Sequence, residues 1–305
     1  MLPQDAIHLR TSDQRVLALA DRLWQRAPLR PVPGSMRFAI DVFAAPTLPE
    51  LTEQPWTMGE NGAELSLGDS LHARMDWALG HVEGRVAASL VAGEPSLVAR
   101  LLLETPAGAL LARRGYAVVH GGAVTGAGGA VVIRGGPGAG KSTLVAAAHR
   151  SGLAVLGDDA VLVARSDPDE ILAGVREVTL LPDAAQLLGV GGVAGATVAG
   201  AERKHRLDLF PSSAPRVRSA RRLATVLLGS RNGGPARLEP LAPEAFLDEF
   251  RHGEIPQERW SGTPPHIAAH WSRSGAYRLS GAADLAGAVR ILAELVSRPA
   301  RVGLA

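Results

Sequence analysis

The 305-residue sequence contains no cysteine, which excludes disulfide bonds, thiolate metal sites and cysteine nucleophiles. It also lacks any uninterrupted apolar run of about 18 residues, so we expect no transmembrane helix and no membrane partner. The N-terminal segment "MLPQDAIHLRTSDQR" carries charges throughout and has no apolar core typical of a secretion signal. These absences together predict a cytoplasmic protein.

Lysine is almost absent too, because Lys141 and Lys204 are the only two lysines among 32 basic residues. The excess of arginine indicates a coding bias, and in such a chain we expect each lysine to have a specific task. The formal net charge of +2 is small, so the sequence predicts no nucleic-acid partner.

Length and patterning predict two domains. Apolar residues make up 46% of the chain, and 305 residues exceed what one core usually spans. We predict a smaller β-rich domain over 1–112, led by a helix in "DQRVLALADRLWQRA", and an α/β domain over 113–305. Turn-rich segments such as "GRVAASLVAG" predict strands and turns of the first domain, followed by a helical connection that is broken or bent at Pro106. In the second, "YAVVHGGAV" and "GAVVIRG" predict two strands joined by "TGAGG".

The most specific motif is "GGPGAGKS", which fits GxxxxGK followed by Ser or Thr without a gap. Its glycines are Gly135, Gly136, Gly138 and Gly140. Such glycines let successive N–H groups face one anion, and the next helix directs its positive end to the same place. The motif predicts that ATP and Mg²⁺ bind here, with Lys141 at the β- and γ-phosphates, Ser142 on Mg²⁺ and Thr143 near the α-phosphate.

Two other interpretations of this glycine-rich segment stay open. Closely spaced glycines also occur in dinucleotide-binding loops, although here they do not fall into GxGxxG register. The plain alternative is a glycine-rich turn in front of an ordinary helix. The apolar strand predicted before the motif and the helix predicted after it favour phosphate binding.

A phosphotransfer site also needs a carboxylate at the end of a neighbouring strand, and "LAVLGDD" supplies Asp158 and Asp159 at such an end. One acid can hold Mg²⁺ or its waters, while the other accepts the proton of an attacking hydroxyl. Neighbouring side chains of an extended segment point to opposite faces, so the roles can be divided, but the pattern does not assign the base. Both acids are candidate catalytic groups, and Asp158 is a candidate Mg²⁺ ligand beside Ser142. The alternative is a pair that caps a loop.

Further candidates lie outside these two motifs. His120, on the strand before the loop, is a candidate catalytic residue or an ordinary histidine bonded to backbone. Lys204 is a candidate second cation at the phosphates, or a lysine that escaped the coding bias. His266 and His270 lie four residues apart, but the segment "HIAAH" lacks the glutamate of HExxH, so we expect no metal there. The arginine-rich "RVRSARR" predicts a solvated loop or a patch that docks an anion or peptide.

The ordered set "VVHGGAV", "GGPGAGKST" and "GLAVLGDD" resembles the HPr kinase/phosphorylase superfamily of phosphate-loop serine kinases, which are related to ATP-dependent phosphoenolpyruvate carboxykinases. The resemblance is specific over about 116–165, looser over 166–298, and does not cover the first hundred residues. It implies an α/β phosphate-loop kinase core that binds ATP and Mg²⁺. It also implies that Asp158 and Asp159 supply the base and its partner, with His120 near the phosphates or that base.

Two departures from this family bear on the acceptor. The bifunctional members carry a Glu-Ile-Arg-Gly-type signature beyond the acids, where this chain has "VREVTLLPDAAQLLG", and they have an arginine-rich C-terminal segment that is absent here. Phosphorylase action on the sugar-transport protein HPr is therefore not expected. The resemblance to divergent kinases of peptide-maturation clusters implies a serine of a peptide or protein as the acceptor. A homo-oligomer is compatible with the sequence, which does not reveal the oligomeric state.

Other functions fit the same motifs. The acceptor can be a small-molecule hydroxyl, or water, which would make the protein a nucleotide-hydrolysing switch. A carboxykinase-like enzyme would need further metal-binding lysine and histidine that we do not find. A nucleotide-sensing module without catalysis would not need the two acids.

Overall fold

The structure is a computed structural model of a mixed α/β chain with two large sheets and one small sheet. The chain divides into two compact units: of the described residues, those up to Arg114 together with Ala194 belong to the first, and the others belong to the second. The residues that the structure describes are 7–24, 35–44, 56–174, 177–189, 193–194, 205–208, 217, 219–230, 234–252 and 265–297.

The first unit is built on a sheet of six strands: β1 (Ile7–Arg10), β2 (Met36–Phe43), β3 (Trp56–Met58), β4 (Gly62–Leu67), β5 (Leu71–Asp76) and β6 (His81–Ala87). They lie in the order β1-β2-β6-β5-β4-β3. The pairs β1–β2 and β2–β6 are parallel, whereas the other neighbours are antiparallel. Buried and exposed residues alternate along β4 and β5, as expected for a sheet with one face on a core.

The described helices of this unit are α1 (Gln14–Trp24), α2 (Ala88–Gly93), α3 (Pro95–Val98) and α4 (Thr105–Ala112). Helix α1 confirms the leading helix. The prediction of strand and turn in "GRVAASLVAG" is confirmed for its first part and wrong for the rest, because β6 ends at Ala87 and α2 follows. Leu90 and Val91 are buried in α2. A short apolar run fits a buried strand and a buried helix equally well, and alanine and leucine favour the helix.

The helical connection predicted to be broken or bent at Pro106 changes just before this residue to a π-helical turn, Ala99–Glu104, between α3 and α4. The Thr105 N–H donates to the Arg100 carbonyl, one residue farther back than in an α-helix. In that pattern the Leu101 carbonyl would be served by residue 106, but proline has no N–H. The Trp56 Nε1–H donates to the Leu101 carbonyl instead, at 3.2 Å. A side-chain donor therefore satisfies the backbone acceptor that the proline leaves open.

The second unit contains a nine-stranded sheet whose strands are β7 (Tyr116–His120), β8 (Gly122–Thr125), β9 (Ala130–Arg134), β10 (Ala154–Gly157), β11 (Ala160–Ala164), β12 (Asp167–Leu172), β16 (Ser219–Leu228), β17 (Arg237–Pro240) and β18 (Ala276–Ser280). The main order is β10-β8-β9-β16-β12-β11-β7, and β18 pairs with β16 and β17. A small sheet has the order β13-β15-β14, formed by β13 (Glu177–Leu180), β14 (Val193–Ala194) and β15 (His205–Asp208).

The segment "YAVVHGGAV", predicted as one strand, is two strands that part at Gly121. β7 pairs with β11, whereas β8 pairs with β9 and β10. A Cβ atom at Gly121 would lie 2.6 Å from the Ile133 carbonyl oxygen, so the chain turns where only glycine fits against β9. The turn brings the end of β7 beside the start of β11.

Helices cover both faces of the large sheet: α5 (Lys141–Arg150), α6 (Pro182–Leu187), α7 (Pro243–His252), α8 (Pro265–Ser272) and α9 (Leu285–Ser297). On one face, α5 and α9 pack with Val131 and Ile133 of β9. On the other, α7 and α8 pack with Val132 of the same strand. Alternate side chains of β9 thus serve both cores, and the phosphate-loop motif begins directly at the end of this strand.

Strand β18 lies close to β16 through Gly275, whose backbone has φ of +67°. Its carbonyl accepts the Thr225 N–H at 2.7 Å, and a Cβ atom there would lie 2.3 Å from the Leu223 carbonyl oxygen. Gly152, after α5, also has positive φ, at +91°, but no neighbouring atom lies within 4 Å of a Cβ there. Both glycines have left-handed backbone, but only at Gly275 would a side chain also clash with a neighbouring strand.

We predict that Gly275→Ala destabilises the protein more than Gly152→Ala. Left-handed backbone costs either alanine about 1–2 kcal/mol, whereas only the Gly275 variant must also move β16 or β18. Chemical denaturation of both variants measures the difference. Equal losses of unfolding free energy would contradict the close approach of the two strands.

Candidate active site

The glycine-rich motif forms a loop over 135–140 between β9 and α5. Gly138 and Gly140 have φ of +74° and +97°, the left-handed region in which glycine is favoured. Helix α5 begins at Lys141, so its first N–H groups point back toward this loop. The strand–loop–helix order is the arrangement that a phosphate-binding loop requires.

Lys141 holds its ammonium group over the start of the loop. Its Nζ atom donates to the carbonyl oxygens of Gly135 and Gly136 at 2.8 and 3.2 Å. A phosphate group can compete with these carbonyls for the protons of the ammonium group. The side chain is therefore already placed at the mouth of the loop.

Asp158 directly follows β10 and is only 2% exposed. Neither carboxyl oxygen has a hydrogen-bond partner among the described residues. Burial raises the pKa of Asp158 to about 7, and the nearby charge of Asp159 adds to the rise. The Ser142 hydroxyl, the Asp159 N–H and the Lys141 charge lie near this carboxyl and oppose the rise in its pKa, although none of them makes a hydrogen bond of good geometry to it. Asp158 thus lies beside the first turn of α5 without a well-formed hydrogen bond from any described residue.

Asp159 differs from Asp158 in the exposure of its side chain and in its backbone conformation. Its side chain is 78% exposed, and its φ of +66° makes it the one non-glycine residue in the described part of the chain with left-handed backbone. The His120 Nδ1–H donates to the Asp159 carbonyl oxygen at 2.7 Å, and the same nitrogen lies 3.4 Å from the Asp159 carboxylate. The Gly121 N–H donates to that carbonyl at 3.2 Å. These contacts hold a strained residue in place at the surface.

Arg134 is a functional candidate that sequence analysis missed. It ends β9 and is 1% exposed. Its guanidinium donates to the His120 carbonyl at 2.9 Å and twice to the Phe250 carbonyl, at 3.0 and 3.1 Å. The guanidinium also lies 3.9 Å from the centre of the Phe250 ring. Arg134 therefore ties the end of β7 to the last turn of α7, and an arginine inside the apolar segment "AVVIRG" was the available signal.

The other residues singled out in the sequence lie partly inside and partly outside the described residues. Ser142 and Thr143 lie half-buried in the first turn of α5, whereas Lys204 lies outside the described residues. His270 contacts Asp169 at 3.1 Å through Nε2, and no group of three acidic or histidine residues in the described ranges is arranged to hold a metal ion. None of the described helices has the length and apolar character needed to cross a bilayer.

The loop predicted for "RVRSARR" was wrong for its last two arginines, which belong to β16. Arg222 is almost inaccessible, and its guanidinium contacts Asp169 at 2.8 Å and lies 5.3 Å from the Trp271 ring centre. Arg221 contacts Asp167 at 3.1 Å. Both charges are therefore used inside the second unit.

A cavity of about 810 Å³ lies elsewhere, on the first unit's sheet. Charges of opposite sign alternate across its strands, from Glu64 to Arg74 to Glu83. This mixture of charges selects no class of ligand. The candidate active site is therefore chosen by the residue types of the phosphate loop and its two acids, not by the size of a cavity.

No family model and no curated protein matches this sequence. Among solved structures, the Hpr(Ser) kinase/phosphatase from Coxiella burnetii is similar at 15% identity and a TM-score of 0.25. The alignment covers 41% of this chain and 77% of that one. The likeness is distant, and membership of that family does not follow from it.

The raised pKa of Asp158 predicts how stability depends on pH. In the unfolded chain this carboxyl titrates near its ordinary value of 3.8, whereas in the folded protein it titrates at about 7. Between those values only the folded state holds the proton, so the stability that the protonated carboxyl contributes is lost as pH rises toward 7. Asp158→Asn cannot titrate and should escape this loss.

Melting temperatures of wild type and Asp158→Asn, measured with EDTA and without nucleotide, test this prediction. The two proteins should melt at similar temperatures near pH 4.5, where acid and amide are both neutral. At pH 8 the variant should melt higher. If the difference between the two melting temperatures is the same at pH 4.5 and at pH 8, the raised pKa of the buried Asp158 carboxyl is contradicted.

Proposed function

We propose that this protein is an ATP-dependent phosphotransferase that moves the γ-phosphate to a hydroxyl group, with a serine of a peptide or protein as the acceptor. One observation carries the proposal: the phosphate-loop motif lies beside Asp158, a buried carboxylate whose oxygens have no hydrogen-bond partner in the described residues. A loop that only turned the chain would give no reason to bury a carboxylate against its helix.

ATP would bind with its phosphates against the N–H groups of the loop and the first turn of α5. Lys141 would exchange its carbonyl contacts for phosphate oxygens. Ser142 and Asp158 are the oxygen ligands offered to Mg²⁺, which commonly takes one or two protein carboxylates and completes its shell with phosphates and water. The bound ion would neutralise charge on the phosphates, and the unpaired oxygens of Asp158 fit such a partner.

The exposed carboxylate suits the proton transfer. Asp159 accepts the proton of the acceptor hydroxyl while that oxygen forms a bond to the γ-phosphorus. The bond from the γ-phosphorus to the oxygen bridging the β-phosphate breaks, and ADP leaves with both electrons of that bond. The carboxylic acid then returns its proton to water. His120 positions this acid by its contact with the Asp159 backbone and carboxylate.

The exposure of Asp159 also favours a large acceptor. A base that is 78% exposed can meet a hydroxyl carried on a polypeptide surface, whereas a small substrate is usually enclosed by its site. A small-molecule hydroxyl and water are the alternatives, and the same experiment distinguishes them.

We predict different defects in the two acids. Asp158→Asn should weaken ATP binding only when Mg²⁺ is present, because it removes a metal ligand. Asp159→Asn should bind ATP·Mg²⁺ as the wild type does and lose transfer by about 10²–10⁴-fold, the usual effect of removing a general base. Lys141→Ala should lose both. Calorimetry measures binding, and transfer of labelled γ-phosphate to arrayed serine peptides measures the reaction.

Each arrayed peptide has a matched version with alanine in place of serine. Glu239→Gln, which removes an exposed carboxylate from β17, serves as the control variant and should behave as wild type. Label on serine peptides alone supports the proposal. Release of phosphate at one rate with and without peptides, and no labelled peptide, would instead make the protein a nucleotide-hydrolysing switch.

A further inference from the structure

A second site candidate lies within the first unit, in a cavity of about 330 Å³ at the end of α4. Arg37 of β2 lines it together with Arg113 and Arg114, which follow α4. The indole of Trp77 and the exposed side chain of Leu79 provide apolar surface at the same cavity. Arginines from two separate parts of the first unit thus line one small space.

The charge of this cavity is unbalanced. None of the described residues that line it is acidic. The C-terminus of a helix attracts basic side chains, which gives Arg113 and Arg114 a structural reason to be there. That reason does not extend to Arg37, because it belongs to strand β2. The partial negative charge at the C-terminus of α4 is also too small to balance three full positive charges.

Arg114 is held rigidly at this cavity. Its Nη2–H donates to the Ser35 carbonyl at 3.0 Å, and the guanidinium lies against Gly80, where no side chain would fit. Its Nη1 atom is buried and has no hydrogen-bond partner among the described residues. Burial also lowers the pKa of the Arg114 guanidinium, so the fold holds a charge there at a cost that a nearby anion would offset.

Arg113 adds a second fixed group. Its guanidinium lies 4.7 Å from the centre of the Trp77 ring, a stacked arrangement that restrains both side chains. A restrained planar guanidinium loses little freedom when it binds an oxyanion through two parallel hydrogen bonds. The indole leaves a flat apolar wall for whatever is attached to that oxyanion.

We propose that this cavity binds a phosphate monoester through Arg37, Arg113 and Arg114. A monoester carries a charge of about −1.5 to −2 and three terminal oxygens, which suits three guanidinium groups better than the single charge of a carboxylate. Trp77 and Leu79 contact the organic group that the phosphate carries. All the residues that line this cavity belong to the first unit, whereas the phosphate loop belongs to the second. The proposed monoester site therefore does not depend on the function proposed for the phosphate loop.

Calorimetry on the full chain tests this site with phenyl phosphate as the probe. Arg37→Gln and Arg113→Gln should each weaken binding at least about tenfold, since each removes a charged hydrogen-bond partner. Arg74→Gln, which removes an exposed arginine of β5 outside the cavity, should leave binding unchanged. Lys141→Ala should also leave it unchanged, because that variant disables the phosphate loop and not this cavity.

Further probes define the ligand. Benzoate should bind at least tenfold more weakly than phenyl phosphate, and the Trp77 fluorescence change caused by phenyl phosphate should disappear in Trp77→Phe. A capped phosphoserine tripeptide distinguishes the two sources of a monoester. Tighter binding of the tripeptide than of phenyl phosphate indicates a phosphorylated side chain, and tighter binding of phenyl phosphate indicates a free metabolite. The proposal fails if phenyl phosphate does not bind at millimolar concentration, if Lys141→Ala abolishes binding, if Arg74→Gln weakens it equally, or if benzoate binds as tightly.

Discussion

The carboxyl group of Asp158, buried without a well-formed hydrogen bond from the described residues, is the constraint on which the second unit's site depends. Desolvation makes its charged form costly, and the exposed charge of Asp159 raises that cost. The Lys141 ammonium is meanwhile occupied by carbonyl oxygens of its own loop. The Lys141 charge is nevertheless close enough to Asp158 to oppose the rise in its pKa, although burial outweighs it.

The fold maintains this arrangement through a connected set of contacts. Arg134 binds the His120 carbonyl and the last turn of α7, and the His120 ring binds the backbone of Asp159. The two acids are thereby fixed by β7, β9 and α7, which come from distant parts of the sequence. Because the buried and exposed acids are adjacent, one backbone conformation sets both environments, and the left-handed φ of Asp159 is the strain that this requires.

The sequence could predict the features that depend on local chemistry. The loop over 135–140, the start of α5 at Lys141, helix α1 and the position of the acids after a strand all follow from glycine spacing and apolar periodicity. Features set by long-range packing could not be predicted in this way. Whether Asp158 or Asp159 is buried depends on which strands flank them, and Arg222 is buried because Asp169 and Trp271, remote in sequence, surround it. The turn at Gly121 depends on an approach to β9 that no local pattern records.

The most direct test is a titration of the Asp158 carboxyl carbon by NMR, in protein labelled at aspartate and assigned with Asp158→Asn. In the free protein the account predicts a midpoint at about 7, set by burial. With ADP and Mg²⁺ bound, the nearby cation should keep the carboxyl ionised down to at least about pH 5. A midpoint near the ordinary 3.8 in the free protein, unchanged by ADP and Mg²⁺, would contradict the account.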